Sequence, residues 1–347
     1  MTRLLSTGNY TAEMSDLNVR FLNKDEYERW DNLVVALPSA SIFDESKWLA
    51  AVADVMGCDI RIAGVFEKDR LIGGVPLNIS NKFGMPTATG IPLTPTNSCI
   101  AEPSGTIYSS RATNYLLKIT DAIGRFLQSN YDYAVVTNHP FISDIRSFNW
   151  LGWSTQVLYT YHIDLAKADF SALTPKIRKI IRKAEKSGVI IERSDDFSVA
   201  HDLLAKTFRR KGVSLPLSSW QLSQICLRCA DNAVLFVAKT HDGKAIAFNI
   251  WIVDFKRRVA YALFSGFDYA YQDTEATSLR KWRCIEYFKS NGFAILDLVG
   301  AENKSVADFK AGFEGDLVQY YQVSKASMRY RILNQLSRLK PFRLFLN

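Results

Sequence analysis

The sequence has few of the residues that mark secreted, membrane-spanning or metal-binding proteins. Its five cysteines are an odd number and are scattered along the chain, so no disulfide framework is predicted. No apolar run reaches the roughly 18 residues that a membrane-spanning helix needs. Residues 1–16 also lack the basic and then apolar pattern of a signal peptide. We therefore expect a cytoplasmic protein.

Histidine is also scarce, with four residues in the chain, and none is spaced as a metal-binding pair. Cys226 and Cys229 form a Cys-x-x-Cys motif, but the motif lies in a predicted helix with no second pair and no nearby histidine. This context favours two small buried hydrophobic residues over a zinc or redox site. No metal is predicted.

Acidic residues are outnumbered by basic ones, 35 to 43, which gives a formal net charge of +8 and a pI near 9.1. Such a surface favours anionic partners, which include phosphate-bearing small molecules, RNA and an acidic membrane leaflet. Two segments hold much of the excess: Lys176, Arg178, Lys179, Arg182, Lys183 and Lys186 in one, and Arg329, Arg331, Arg338, Lys340 and Arg343 in the other.

The first of these segments reads as a basic helix from Thr174 to Ser187. At helical spacing Lys176, Lys179 and Lys183 share one face, and Arg178 and Arg182 share another. This predicts a substrate-binding surface for the phosphates of a UDP-linked acceptor or of a tRNA backbone, with arginine supplying bidentate contacts. A solvated charged helix is the competing interpretation.

Landmarks recur in the same order in the two halves of the chain. Ser46-Lys47-Trp48 and Ser218-Ser219-Trp220 each open a predicted helix, and an apolar strand follows each tryptophan at the same spacing. Later helices carry Ala112-Thr113 and Ala276-Thr277. A length of 347 residues also suits two domains, so the sequence predicts a duplicated α/β unit.

We predict a leader at 1–16, a first domain at 17–165, a second domain at 166–325 that the basic helix opens, and a basic amphipathic helix at 326–347. Each domain should hold a mixed, mostly antiparallel sheet flanked by helices. Residues 81–105, rich in Pro, Gly, Thr and Ser, should be irregular. Ile332, Leu333, Leu336 and Leu339 share one face of the last helix, which could rest on an anionic leaflet or pack onto protein.

Two segments stand out beside this order of elements: Arg178–Val189, which opens the second unit, and Asp308–Gly315 near its end. With them, the order of elements resembles the Gcn5-related N-acetyltransferase (GNAT) superfamily, and two such units in tandem are similar to its Fem-type and BioF2-like acyltransferases. In that group a Phe-Lys-x-x-Phe-Gly motif lies beside the acyl donor. Here it stands as Phe309, Lys310 and Phe313, with Glu314 where glycine is common.

The resemblance implies acyl-CoA or aminoacyl-tRNA as co-substrate and no tightly bound cofactor. The donor-binding candidates are Phe309, Gln272, Thr277 and Phe264. Acetyltransferases of the superfamily hold coenzyme A on a glycine-rich loop, because glycines let backbone N–H groups approach phosphates. The turn from Gln272 to Thr277 has two acidic residues and no glycine. Fem-type proteins lack this loop too, and many of them use aminoacyl-tRNA.

Two residues are candidates for the chemistry. Lys310 could donate to the oxyanion of a tetrahedral intermediate, or it could be an ordinary surface lysine. Asp297 interrupts an apolar strand and could orient an acceptor amine or take its proton; a carboxylate paired with an arginine or a backbone N–H is the alternative.

The sequence therefore predicts an N-acyltransferase that acylates an amine in cell-envelope, peptidoglycan or polysaccharide precursor biosynthesis. Its predicted partner is a phosphate-bearing substrate, with tRNA and the inner membrane surface as further candidates. The competing hypothesis is a non-catalytic anion-binding or membrane-associated assembly protein that kept the fold.

Overall fold

The computed structural model describes residues 17–337. Within this range the chain divides into two compact units, the first formed by residues 17–50, 58–157 and 320–337, and the second by residues 51–57 and 158–319. The predicted leader, and Arg338, Leu339, Lys340 and Arg343 of the predicted C-terminal helix, lie outside the described residues. The chain returns to the first unit at Tyr320, whereas the sequence placed the second domain as far as 325.

The first unit is a sheet with helices packed on it. Its strands lie in the order β1-β2-β3-β4-β6-β13, with β5 beside β3, and β4 and β6 are its parallel pair. The strands are β1 Leu17–Phe21, β2 Asp59–Glu67, β3 Arg70–Lys82, β4 Met85–Thr89, β5 Ile100–Ala101, β6 Tyr133–Thr137 and β13 Asp316–Ala326, the last counted from residue 320. The helices are α1 Tyr27–Ala36, α2 Ser46–Met56 (as far as residue 50), α3 Ser109–Asn130, α4 Arg146–Trp150 and α10 Met328–Leu336.

The second unit repeats the plan. Its strands lie in the order β7-β12-β11-β10-β9-β8, and β11 and β12 are the parallel pair. They are β7 Ser154–Asp164 (from residue 158), β8 Ile190–Ser194, β9 Ala233–Lys239, β10 Ala245–Asp254, β11 Val259–Phe267 and β12 Ile295–Asp297. The helices are α5 Pro175–Lys186, α6 Phe197–Arg210, α7 Ser219–Arg228, α8 Ala276–Ser290 and α9 Lys304–Ala311. The predicted class, a mixed and mostly antiparallel α/β fold, is confirmed.

The predicted basic helix is α5, and local signals set its ends. The side chain of Thr174 accepts from the backbone N–H of Ile177 at 3.3 Å, and Pro175 takes the first helical position, where its missing N–H costs nothing. Gly188 ends the helix with φ of +75°. Ile177, Ile181 and Ala184 are buried, so the apolar side of the helix faces the core. The basic residues lie on the other sides of the helix.

The tryptophan landmarks mark equivalent positions that pack differently. Trp48 is 1% exposed and its Nε1 donates to Thr94 Oγ1 at 2.9 Å, whereas Trp220 is 59% exposed. The helix starts differ as well: Ser218 caps α7 in a reciprocal bond pair with Gln221, which satisfies otherwise unpaired backbone donors, whereas Ser46 is the first residue of α2 and donates to Asp31.

Residues 81–105 are more ordered than predicted. Prolines and glycines suggested an irregular segment, but Met85–Thr89 forms β4, which pairs with β3 on one side and with β6 on the other. Tertiary pairing thus overrides weak strand propensity. Between residues 17 and 337, no helix combines the length and apolarity needed to cross a bilayer.

Candidate functional site

The two parallel strands of the second unit separate where polar side chains gather. Their pairing stops at Tyr261 and Asp297, where β12 ends, while β11 continues to Phe267. A bulge lies just beyond, because Ile250 pairs with Phe264 and Trp251 pairs with Ala262, which leaves Leu263 as the extra residue. Bulges redirect backbone groups and are frequent beside active sites.

Asp297 lies at this point of separation and is buried. Its Oδ1 accepts from Thr160 Oγ1 at 2.5 Å and from the backbone N–H of Val299 at 2.8 Å, and its Oδ2 lies 3.2 Å from His162 Nε2. Burial by itself raises the pKa of Asp297, but the bond to His162, its charge and the other donors outweigh burial and hold that pKa below its usual value. The carboxylate is therefore ionised at neutral pH.

Lys310 lies on α9, close enough to Asp297 to feel its charge. Its ammonium donates to the carbonyl oxygen of Val299 at 2.7 Å and to that of Gly300. Burial lowers the pKa of Lys310 to about 8, against the opposing charges of Asp297 and Glu302. An ammonium has three donors, so among residues 17–337 these two bonds leave a third N–H for a ligand. This position differs from that of an ordinary surface lysine.

Two buried cations on α8 reach β10 and β11, and no motif in the sequence pointed to them. Arg280 donates to the carbonyl oxygens of Phe248 and Gly266, the latter at 3.3 Å. Lys281 Nζ lies 3.3 Å from Asn249 Oδ1 and 4.6 Å from the Trp251 ring centre.

The amide of Asn249 continues this connection, because its Nδ2 donates to the Phe264 carbonyl at 2.8 Å. Lys281 and Asn249 thus hold the stretch of β11 that carries the bulge.

We expect Lys281→Met to remove a pH dependence of stability. Burial lowers the pKa of Lys281 from 10.5 to about 7 in the folded protein. The unfolded chain then binds more protons between these values, so the free energy of unfolding of the wild type rises with pH there, by about 1.4 kcal/mol per unit. At pH 7 the variant should be the more stable protein. Urea unfolding between pH 7 and pH 9.5 should show the gap closing.

The matched control for this prediction is Lys289→Met, which removes an exposed lysine of the same helix. Its unfolding free energy should follow that of the wild type across the pH range. If Lys281→Met also ran parallel to the wild type, the burial of a charge at Lys281 would be contradicted.

The basic helix packs against the segment that carries Lys310. A Cβ added to Gly312 would lie 2.7 Å from Ile177 Cγ1, so glycine is needed for this close approach. Of the predicted substrate-binding residues, Lys176, Lys179, Arg182 and Lys183 are exposed and Arg178 is half-buried; its Nε is buried and has no hydrogen-bond partner among residues 17–337. The Arg182 guanidinium lies 5.5 Å from the Phe170 ring centre.

The glycine-free turn before α8 is partly neutralised by the basic helix. Glu275 has φ of +57° and precedes the first residue of α8, and its Oε1 lies 3.8 Å from Lys183 Nζ. Gln272 and Asp273 are exposed, and Thr277 is half-buried in the first turn of α8. A cation therefore lies at the helix end where the turn itself supplies acidic groups.

The remaining donor-binding candidates are half-buried. Phe309 packs edge-on against Phe313 at 5.3 Å, and Phe264 lies in the bulged stretch of β11. The structure thus brings Asp297 and Lys310 together and places Phe309 on the same short helix as Lys310. It shows no contact of Gln272 or Thr277 with them among residues 17–337.

The first unit closes the corresponding position with its own chain. Beyond the parallel pair β4 and β6, the Asn97 backbone N–H donates to the Thr137 carbonyl and Asn97 Oδ1 accepts from the Thr137 N–H, both at 2.9 Å. Ser98 Oγ accepts from the His139 N–H at 2.8 Å. All of these residues are buried. At the corresponding strand ends, the first unit therefore has buried hydrogen bonds within its own chain, whereas the second unit has the cluster around Asp297.

The cysteine pair is buried in the core of the second unit, as the sequence suggested. Cys226 is 0% and Cys229 is 3% exposed, and burial raises the pKa of the Cys226 thiol to about 12. A thiol of that pKa carries little thiolate, the form that binds metals. Within residues 17–337, no three or more His, Cys, Asp and Glu side chains are grouped to hold a metal ion.

The described part of the C-terminal helix packs through one aromatic residue. Tyr330 is buried and stacks on Tyr133 with ring centres 4.7 Å apart. Met328 and Ile332 are 70% and 50% exposed. Packing onto protein therefore accounts for Tyr330, and contact with a membrane remains a prediction for the exposed side.

Residues 173–311 match the family model described as an acetyltransferase (GNAT) domain. No curated protein sequence matches the chain.

Solved structures similar to this chain include FemX, at 14% identity and a TM-score of 0.63, with 92% of this chain and 99% of that one covered. The C-terminal domain of a putative lysylphosphatidylglycerol synthetase from Agrobacterium fabrum is 10% identical, with a TM-score of 0.58 and coverage of 90% and 95%. A tandem GNAT protein from the clavulanic acid biosynthesis pathway is 12% identical, with a TM-score of 0.55 and coverage of 89% and 98%. At these identities the likeness shows the fold.

Proposed function

We propose that this chain, which has the tandem GNAT fold and carries a GNAT acetyltransferase domain at residues 173–311, is an N-acyltransferase for a phosphate-bearing amine acceptor. The observation that carries the proposal is the placement of Lys310, whose half-buried ammonium lies within the field of Asp297 and keeps one N–H for a ligand. A cation so placed suits a reaction in which negative charge develops on an oxygen.

The reaction is the attack of an amine on an activated acyl carbon. A C–N bond forms, and the C–S bond of a thioester or the C–O bond of an aminoacyl ester breaks. The third N–H of Lys310 stabilises the oxyanion of the tetrahedral intermediate. Because burial has already removed much of the water around Lys310, the ammonium interacts with that oxyanion more strongly than an exposed lysine would.

The donor is an acyl-CoA or an aminoacyl-tRNA, and the basic helix binds its phosphates. GNAT domains usually use acyl-CoA. Two observations support a role for α5: it packs on Gly312 beside Lys310, and Lys183 reaches the acidic turn before α8. The cations of α5 then supply the positive charge that a glycine-rich turn would otherwise provide through its N–H groups.

The acceptor is a cell-envelope or glycan precursor. The similar folds include a protein named FemX and a domain of a lysylphosphatidylglycerol synthetase, and the second name points to a lipid-linked product. The basic surface of this chain suits a phosphate-bearing precursor of either the sugar or the lipid kind.

A donor screen tests the proposal. The full-length protein is incubated with acetyl-CoA or lysyl-tRNA and one of three amines: glucosamine 6-phosphate, cadaverine, or vesicles of phosphatidylethanolamine. We expect N-acylated product with one donor, measured by mass spectrometry, and a preference for a phosphate-bearing amine over cadaverine. If neither donor binds in calorimetry and no product forms, the protein is a non-catalytic member, as its glycine-free turn would also allow.

A further inference from the structure

We propose that His162 is the general base of the transfer and that Asp297 positions it. The inference rests on the proposed function and deepens it, because it assigns the proton acceptor at the same site. It also changes the role of Asp297, which the sequence suggested as a direct partner of the amine.

Strand pairing brings the two side chains together. His162 on β7 and Asp297 on β12 are directly opposite in an antiparallel register, and His162 Nε2 lies 3.2 Å from Asp297 Oδ2. The backbone at His162 is held closely as well, since a Cβ on Gly315 would lie 3.0 Å from the His162 carbonyl oxygen. The ring of His162 is therefore oriented by Asp297, and its backbone packs closely against Gly315.

The surroundings of Asp297 determine which nitrogen of His162 is basic. Oδ1 already accepts from Thr160 and from the Val299 N–H, so Oδ2 faces the histidine. An ionised carboxylate only accepts hydrogen bonds. In the neutral imidazole, His162 Nε2 must therefore carry the hydrogen, and Nδ1 keeps its lone pair. A carboxylate that fixes a histidine tautomer in this way is a recurrent device in proton transfer.

The different exposure of His162 and Asp297 fits a base and a positioning residue, respectively. The side chain of His162 is 21% exposed, whereas that of Asp297 is 9% exposed. A substrate can thus reach the imidazole more easily than the carboxylate. Asp297 is in addition a poor proton acceptor, because its hydrogen bonds hold its pKa below the usual value and a weaker base takes a proton less readily.

Three charged groups lie near His162, each on a different segment. Asp297 on β12 contacts the imidazole, Lys310 on α9 interacts with Asp297, and Glu302 in the preceding loop accepts from the Tyr159 N–H at 3.2 Å. The cation and the base thus belong to one cluster, in which Lys310 serves the acyl oxygen and His162 serves the amine.

The proton balance of the step is complete. The neutral amine attacks the acyl carbon, and the C–N bond forms. His162 Nδ1 takes one N–H proton from the resulting intermediate. The intermediate then collapses, the C–S or C–O bond breaks, and His162 passes the proton to the departing thiolate or alkoxide. The products are an amide and a free thiol or hydroxyl, and the imidazole is regenerated.

The first test uses turnover of the full-length protein, with acetyl-CoA or lysyl-tRNA and whichever of the three amines gives the higher rate. We expect His162→Gln to lower kcat by about a hundredfold or more. His162→Ala should be partly rescued by added imidazole, which a purely structural role would not produce. His241→Gln, which replaces an exposed histidine in the turn before β10, should retain the wild-type rate.

The second test needs no turnover. Two-bond ¹H–¹⁵N correlation spectra should show His162 with hydrogen on Nε2, and Asp297→Asn should shift the tautomer balance. If the wild type turns over and His162→Gln keeps the same rate, His162 is not the general base, but the proposed transferase function is still supported. Hydrogen on Nδ1 instead of Nε2 in the wild type would contradict the positioning of His162 by Asp297. Absence of turnover in the wild type with both donors would overturn the transfer and the base together.

Discussion

Lys310→Met should lower the rate of acyl transfer by about 100- to 1,000-fold, the usual cost of removing one donor to a developing oxyanion. Methionine keeps the length and apolar stem of the side chain and removes the charge and the N–H groups. The pKa of Lys310 is about 8 because of burial, so the wild-type rate should fall as the pH rises through that value. The variant should lack this alkaline limb. Product formation by mass spectrometry, followed from pH 6 to pH 9.5, measures both effects.

Lys304→Met is the control for this prediction, since Lys304 begins the same helix and is exposed. It should retain the wild-type rate. The Val299 and Gly300 carbonyls lose their partner in Lys310→Met, so its folding needs a separate check. Circular dichroism should show that the variant is folded. A folded Lys310→Met variant with the wild-type rate would remove the main support for the proposed function.

The extent to which the sequence predicts the fold depends on how local the signal is. The helix after Thr174 was predicted with almost the observed bounds, because its apolar periodicity, its capping threonine and its terminal glycine all lie within the element or next to it. Strand β4 was missed because the prolines and glycines in and beside it disfavour a strand and because one of its two partners, β6, lies elsewhere in the chain. The return of the chain to the first unit at Tyr320 depends likewise on pairing with β6, to which no local motif points.

The candidate site divides in the same way. Lys310 was found because the resemblance supplied a motif, and Asp297 was noticed because an acidic residue interrupts an apolar strand. His162 carries no such mark, since a single histidine on a half-exposed strand is ordinary. The available signal was indirect: a carboxylate in an apolar strand requires donors, and His162 is one of four histidines in the chain. Lys281 was hidden by the other basic residues of α8.

The aromatic core of the second unit carries the largest expected effect on stability. Phe288 on α8 is fully buried. Its ring lies edge-on to those of Trp251, Tyr287 and Phe293, with centres 5.1 to 5.2 Å apart. Such pairs add to the stabilisation from burial. Its removal would leave a cavity beneath the strands that carry the site.

Phe288→Ala should therefore destabilise the second unit by about 3–5 kcal/mol. Hydrogen exchange measured by mass spectrometry should show this as a loss of protection of about a hundredfold or more in peptides from β9, β10 and α8, since 1.4 kcal/mol corresponds to a tenfold change. Phe255→Ala is the matched control: Phe255 also contacts Phe293, at 5.7 Å, but it is 58% exposed, so its loss leaves no buried cavity. Similar losses of protection in the two variants would show that burial at Phe288 does not hold this core together.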